Sequence, residues 1–132
     1  MESVKRERYT ATLNALRDKH VIKVITGIRR CGKSTLLEMQ QKELEMQGAN
    51  TIYYNFEDPD TVTLNDWQTL YRTIMGQCEA KGMNYIFLDE VQMIHQFERL
   101  VDALFVKKNT DVYITGSNAF LLSSGLATLL SG

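Results

Sequence analysis

The spacing of hydrophobic residues along the chain alternates between a pattern typical of strands and one typical of helices. Four short runs predict strands, at residues 21–25, 51–56, 85–88 and 112–115. The first, third and fourth runs are the most apolar, as expected for strands that are covered on both faces. The pattern therefore predicts a sheet in which these three strands are central.

The segments around these strands have the helical spacing of apolar residues. One helix is predicted over residues 4–16 and a second over about residues 33–47. Gly48 follows the second helix in the position that glycine favours, because the backbone after a helix often takes a left-handed conformation.

Two further helices are predicted in the second half of the chain. The first of them is expected to begin at a capping signal formed by Thr63 and Asp66 and to end at Gly82. Both helices have an apolar stripe that we expect to pack in the core. The stripes are Trp67, Leu70, Tyr71, Ile74 and Cys78 in one helix, and Phe97, Leu100, Val101, Leu104 and Phe105 in the other.

Helices of about 10–16 residues between consecutive strands indicate a parallel sheet, because parallel neighbours need a crossover connection. The predicted fold class is therefore α/β, with three layers in the order helix, sheet, helix. A length of 132 residues suits one domain, and a hydrophobic fraction of 44% excludes a disordered chain.

The sequence predicts a cytoplasmic protein with no membrane segment. No apolar run approaches the roughly 20 residues of a membrane helix, and no apolar stretch follows the charged N-terminus as in a secretory signal. The two cysteines, Cys31 and Cys78, lack the spacing of a zinc site, and no disulfide is expected without export.

Charge is distributed unevenly, although the net charge is −1. Residues 1–35 contain nine basic and three acidic residues, and residues 36–132 contain six basic and 13 acidic residues. The basic first quarter fits either an anionic partner or a solvated basic helix.

The strongest chemical signal is a phosphate-binding loop, G-x-x-x-x-G-K-[ST], at Gly27-Ile28-Arg29-Arg30-Cys31-Gly32-Lys33-Ser34. It lies between a predicted strand and a predicted helix, which is the structural context that the motif requires. The predicted nucleotide contact continues to Thr35.

Each fixed residue of this loop has a physical reason. Gly27 permits a tight turn after the strand, and Gly32 lets backbone N–H groups approach phosphate oxygens without a Cβ in the way. The N-terminus of the next helix attracts the same anion. Lys33 supplies a positive charge for the β- and γ-phosphates of ATP, and the Ser34 hydroxyl can bind Mg²⁺.

An acidic pair, Asp89 and Glu90, follows the apolar run 85–88. The carboxyl ends of strands are where ligands bind in open α/β sheets, so Asp89 is a candidate ligand for Mg²⁺ through water. Glu90 is a candidate general base for an attacking water molecule, which favours hydrolysis over phosphoryl transfer to a metabolite. Without the phosphate loop, the pair could equally be a solvated strand end.

Two other polar pairs follow strands at this edge. Ser117 and Asn118 come after the fourth strand, where they could sense the γ-phosphate or cap the next helix. Glu57 and Asp58 end the second strand, and either a turn or the rim of a site would suit them.

Together these stretches resemble a P-loop ATPase of the AAA superfamily, in the branch with Glu beside the metal-binding Asp. They are similar to a prokaryotic group, related to archaeal ATPases, that carries this domain ahead of a C-terminal domain. The stretches that carry the resemblance are 22–34, 53–58, 87–92 and 115–118.

The resemblance implies a strand order of 5-1-4-3-2, a first sensor at Asn118 or Ser117, and a segment around Arg8-Tyr9 near the adenine. We expect an N-terminal helix over residues 1–18, a nucleotide-binding core over 19–118 and an incomplete helical segment over 119–132. The fifth strand and an arginine finger are expected to be missing, so this chain alone should turn over weakly.

The leading hypothesis is an ATP-binding and ATP-hydrolysing domain that uses Mg²⁺ and drives a conformational change in its C-terminal region or in a partner. One alternative is a nucleotide-dependent switch that binds DNA through the basic first quarter. A second alternative is a small-molecule kinase. A homo-oligomer and a DNA or protein partner of the C-terminal region are further expectations.

Overall fold

A parallel sheet with helices on both faces organises residues 22–25, 33–62, 66–116 and 128–129, which are those that the computed structural model describes. The strands are β1 Lys23–Ile25, β2 Asn50–Asn55, β3 Asn84–Asp89, β4 Thr110–Thr115 and β5 Thr128–Leu129. The helices are α1 Lys33–Met46, α2 Pro59–Val62, α3 Trp67–Gln77 and α4 Phe97–Phe105, with a 3₁₀ turn at Val91–Met93. The helix expected over residues 4–16 lies outside the described residues.

The strands lie in the order β2-β3-β4-β1-β5, and all neighbours are parallel. The α/β class and the order 1-4-3-2 for the first four strands are therefore confirmed. The three most apolar strands of the sequence, β1, β3 and β4, are the central ones. No helix within the described ranges is long and apolar enough to cross a membrane.

The expectation that the fifth strand is missing was wrong. Thr128 and Leu129 form a short strand that pairs in parallel with Lys23 and Val24 of β1. These two residues fall in the segment for which we expected helix. Pairing with β5 satisfies backbone groups on the outer side of the buried strand β1. This gain outweighs the helical tendency of so short a segment.

The two faces of the sheet are covered by different helices. On one face, α3 and α4 pack through buried residues of both predicted stripes against alternate residues of the strands. These buried residues include Leu70, Ile74, Phe97, Leu100, Val101 and Leu104. On the other face, α1 packs through Leu36, Leu37 and Leu44 against Ile25, Phe87 and Tyr113.

Several element ends differ from the predicted ones. Helix α3 begins at Trp67, because Asp66 itself is the N-cap and its side chain accepts hydrogen bonds from Gln68 N at 3.3 Å and the Thr69 hydroxyl at 2.8 Å. The helix ends at Gln77, and Gly82, with φ of 82°, lies in the turn before β3. Gly48 takes a left-handed φ of 84° directly after the last turn of α1, as predicted.

A buried ion pair lies beneath α1 on the same face of the sheet. Lys23 of β1 donates a hydrogen bond to Asp111 Oδ1 of β4, and both side chains are almost completely shielded from solvent. The Lys23 ammonium also lies 5.5 Å from the centre of the Tyr113 ring. The pair connects two central strands near their amino ends.

Candidate nucleotide-binding site

The carboxyl ends of four parallel strands meet at one edge of the sheet. The register pairs Ile25 with Thr115 and Asn55 with Asp89, and Leu88 with Ile114, so that Asp89 lies beside Thr115. This edge is where ligands bind in open parallel sheets.

The predicted phosphate loop connects this edge to a helix. Strand β1 ends at Ile25 and α1 begins at Lys33, so the flanking strand and helix are those that the motif requires. The N-terminus of α1 has backbone N–H groups without intrahelical partners and a partial positive charge. Residues 27–32 and the side chains of Lys33 and Ser34 lie outside the described part of the chain, as do Ser117 and Asn118.

Asp89 is the last residue of β3, and its side chain is completely buried. Its Oδ1 accepts a hydrogen bond of 2.6 Å from the Thr115 hydroxyl, and its Oδ2 accepts one of 2.9 Å from the Tyr53 hydroxyl. The alternation of side chains along β3 puts Asp89 on the face that α1 covers, together with Phe87. The carboxylate therefore lies at the sheet edge, on the side of the helix that follows the phosphate loop.

Glu90 takes a left-handed backbone conformation, with φ of 58° and ψ of 51°. This conformation costs about 1–2 kcal/mol for a residue with a Cβ. The Glu90 N–H donates a hydrogen bond of 2.9 Å to the Thr115 Oγ1, and its Oε1 accepts one of 2.8 Å from Gln92 Nε2. These two hydrogen bonds stabilise the turn in which Glu90 follows the end of β3.

Tyr53 reaches Asp89 from the neighbouring strand β2. Its ring stacks on Phe87 with centroids 6.0 Å apart, and Phe87 stacks on Tyr113 at 4.8 Å. Burial, followed by the charge of Asp89, raises the pKa of the Tyr53 hydroxyl well above its usual range. The hydroxyl therefore remains protonated and acts as a donor toward the carboxylate.

The chemistry around Asp89 fits a divalent cation. Within the described ranges, the side chains that donate to Asp89 are neutral hydroxyls, and a nearby cation would lower the cost of burying this carboxylate. No group of three or more His, Cys, Asp or Glu residues in the described ranges could hold a metal by itself. The site fits Mg²⁺, which commonly takes only one or two protein ligands and completes its shell with phosphates and water.

The other acidic pair at this edge forms a turn. The Glu57 N–H donates to Asn55 Oδ1 at 3.0 Å, and the Asp60 N–H donates to Asp58 Oδ1 at 2.9 Å. Both acidic side chains are exposed. The sequence left open a turn or the rim of a site for Glu57 and Asp58, and the hydrogen bonds show a turn.

Three residues around the acidic pair escaped the sequence-based prediction: Tyr53, Gln92 and Thr115. The period-two alternation of β2 could place Tyr53 on the α1 face. Its contact with Asp89, however, depends on which strands are neighbours and on their register. All three residues lie in stretches that carry the family resemblance, but their hydrogen bonds were not predicted.

A parallel sheet, a glycine-rich connection from a central strand into a helix, and an acidic pair at the end of another central strand define a P-loop nucleotide-binding domain of the ATPase type. The AAA domain family matches residues 19–132. The chain belongs to this family.

Two curated relatives match most of the chain. An uncharacterized protein of Haemophilus influenzae is 41% identical over 133 residues, which cover 98% of this chain and 33% of the relative. Uncharacterized protein MJ1544 of Methanocaldococcus jannaschii is 32% identical over 114 residues, which cover 84% of this chain and 24% of the relative. The chain thus spans between a quarter and a third of the length of these relatives.

The fold is also found in a solved structure. The structure of C. elegans PCH-2 superimposes with a TM-score of 0.59 at 16% sequence identity, over 98% of this chain and 42% of that chain. At this identity the likeness concerns the fold alone.

Proposed function

We propose that this domain binds ATP together with Mg²⁺ and hydrolyses it, and that the nucleotide state changes the conformation of a C-terminal region or a partner. The observation that carries the proposal is the buried Asp89, followed directly by Glu90, at the sheet edge where β1 leads toward α1. A phosphate loop and an acidic pair at a single edge are the two parts that nucleotide hydrolysis requires.

Binding is assigned to the loop and to Asp89. Backbone N–H groups of Gly27 to Thr35 and the N-terminus of α1 would bind the phosphates, and Lys33 would contact the β- and γ-phosphates. Ser34 and Asp89 would hold Mg²⁺, which neutralises phosphate charge when it is bound with ATP.

Hydrolysis is assigned to Glu90. Its carboxylate would orient a water molecule and accept a proton from it as the water oxygen bonds to the γ-phosphorus. The bond from the γ-phosphorus to the bridging oxygen breaks, and ADP leaves with the electron pair. Asn118 or Ser117, directly after β4, is the proposed sensor of the γ-phosphate.

The presence of Glu90 beside Asp89 favours hydrolysis over transfer to a small molecule, because a kinase excludes water from the reacting phosphate. The basic residues that suggested a DNA-binding switch lie almost entirely outside the described ranges. DNA binding, homo-oligomerisation and action on a protein partner stay predictions. The relatives are about three to four times as long as this chain, so each contains a further region to which the nucleotide state could be coupled.

Replacement of Lys33 by Ala is expected to weaken binding of Mg-ATP by about 1.5–3 kcal/mol, because a charge-assisted contact to phosphate is lost. This corresponds to about a 10- to 150-fold increase in Kd. Titration calorimetry measures it on the whole chain. Lys42→Ala is the matched control, because Lys42 lies in the same helix and is exposed.

The proposal fails if the unmutated chain binds no nucleotide at millimolar concentration. The assignment of Lys33 fails if Lys33→Ala and Lys42→Ala bind Mg-ATP as well as the unmutated chain does.

A further inference from the structure

Two neutral hydroxyls bind the two oxygens of the buried Asp89 carboxylate, one from each neighbouring strand. We propose that Tyr53 and Thr115, called here the hydroxyl pair, are positioning residues that hold Asp89 in the orientation that receives the Mg²⁺ of a bound nucleotide. This inference rests on the proposed function, because it concerns the metal of the same site.

The hydroxyl pair contacts Asp89 from two strands. Tyr53 of β2 donates to Oδ2 at 2.9 Å, and Thr115 of β4 donates to Oδ1 at 2.6 Å. Because β3 lies between β2 and β4, the donors approach from opposite sides and fix the plane of the carboxylate. A carboxylate has about four lone-pair sites, and the two hydrogen bonds from the described residues occupy one site on each oxygen, so they do not block a metal ion or its bound water.

The hydroxyl pair is uncharged. A hydroxyl fixes a carboxylate without neutralising it, whereas an Arg or Lys partner would cancel the charge that attracts a cation. Lys23, a buried lysine of the described residues, is engaged with Asp111. By register, Asp111 lies beside Tyr85, four residues before Asp89. Among the described residues, the side chains that donate hydrogen bonds to Asp89 are thus hydroxyls and not cationic groups.

Each residue of the hydroxyl pair is itself held in place by a further contact. The ring of Tyr53 stacks on Phe87, whose other stacking partner is Tyr113. The Thr115 oxygen accepts a hydrogen bond of 2.9 Å from the Glu90 N–H. The Thr115 oxygen thus accepts from the Glu90 N–H and donates its proton to Asp89. One hydroxyl therefore connects the proposed metal ligand to the backbone of the proposed base.

The hydroxyl pair could instead only satisfy a buried carboxylate and have no effect on the metal. In that case its removal would lower the stability of the fold and leave the metal dependence of nucleotide binding unchanged. The two roles therefore differ in a measurable quantity, which is the affinity of the nucleotide-bound protein for the metal.

The test uses four variants of the whole chain. Tyr53→Phe and Thr115→Val each remove one hydroxyl and keep the size of the side chain. Tyr54→Phe is the control for the first, because the Tyr54 hydroxyl accepts an exposed hydrogen bond from Gln77 on the other face of the sheet. Thr115→Ser is the control for the second, because it restores the hydroxyl.

The readout is a titration of Mg²⁺, and separately of Mn²⁺, into protein saturated with ATP in metal-free buffer. Tyr53→Phe and Thr115→Val are expected to bind the metal about 10- to 100-fold more weakly, as is usual for loss of a group that orients a metal ligand. Their affinity for ATP without metal should match that of the unmutated chain. Tyr54→Phe and Thr115→Ser should retain most of the metal affinity.

Unchanged metal affinity in Tyr53→Phe overturns the inference, even if Thr115→Val fails to fold, because Phe keeps the ring that packs on Phe87. An equal loss in Tyr54→Phe also overturns it. If the unmutated chain binds no ATP, or binds it without any effect of the metal, both the proposed function and the positioning role fail. If the unmutated chain responds to the metal and the variants respond alike, only the positioning role fails.

Discussion

Replacement of Glu90 by Gln is expected to slow ATP hydrolysis by about 10²- to 10⁴-fold, the usual contribution of a general base, while ATP stays bound. Gln has almost the same size but cannot take a proton from water. It can still accept the hydrogen bond that Gln92 donates to Glu90 Oε1, so the turn after β3 should keep its geometry. The change therefore removes the chemistry and retains the structure.

The measurement is phosphate release under single-turnover conditions, which detects slow reactions, with ATP affinity measured in parallel. Glu98→Gln is the matched control, because Glu98 is an exposed acid in the first turn of α4. Equal rates for Glu90→Gln and the unmutated chain would contradict the assignment of Glu90 as the base. A large loss of ATP affinity in Glu90→Gln would show that this residue acts in binding.

Replacement of Asp111 by Asn is expected to destabilise the fold by about 3–5 kcal/mol, because it leaves the ammonium of Lys23 buried without its counter-charge. Both side chains of the pair are almost completely buried. The hydroxyl of Tyr113, whose pKa is raised chiefly by burial and then by the charge of Asp111, is a poor substitute for a carboxylate because it stays neutral.

Urea unfolding, followed by circular dichroism, gives the change in the free energy of unfolding. Asp102→Asn in α4 is the control, since Asp102 is exposed. The double variant Lys23→Met with Asp111→Leu should recover most of the lost stability, because apolar residues of similar size avoid the cost of burying charge. A cost below about 1 kcal/mol for Asp111→Asn, the level of an exposed pair, would contradict the importance of this ion pair.

The sequence predicted the elements that have long, regular patterns. The stripe from Phe97 to Phe105 coincides with α4, and the apolar runs before Asp89 and at Ile114 coincide with β3 and β4. Burial requires these patterns, so they can be found without knowledge of neighbouring elements. The phosphate-loop motif could be recognised in the sequence for a different reason, because phosphate binding fixes residue types at fixed spacing.

Details of hydrogen bonding were not predicted. Asp66 was placed inside a capping signal, and only its local hydrogen bonds show that it is the N-cap itself. The family resemblance implied that β2 and β3 are neighbours, but the contact of Tyr53 with Asp89 also depends on the register of these two strands. Strand β5 is two residues long, which is too short for any periodicity, and it forms because β1 offers a free side for pairing.

The proposed function places a metal-bound nucleotide at the carboxyl edge of the sheet, beside Asp89. Nuclear magnetic resonance of the chain with Mn-ATP tests this directly, because Mn²⁺ broadens the signals of nearby backbone amides. Asp89, Glu90 and Gly116 mark the proposed edge, and Asn84 and Thr110 begin the same strands, about 16 Å away at the strand rise of roughly 3.3 Å per residue.

Mn-ATP is expected to broaden the amide signals of Asp89, Glu90 and Gly116 at concentrations that leave Asn84 and Thr110 unaffected. Mg-ATP should shift the same signals without broadening them. Broadening centred on Asn84 and Thr110, or no broadening at saturating Mn-ATP, would contradict the proposed site.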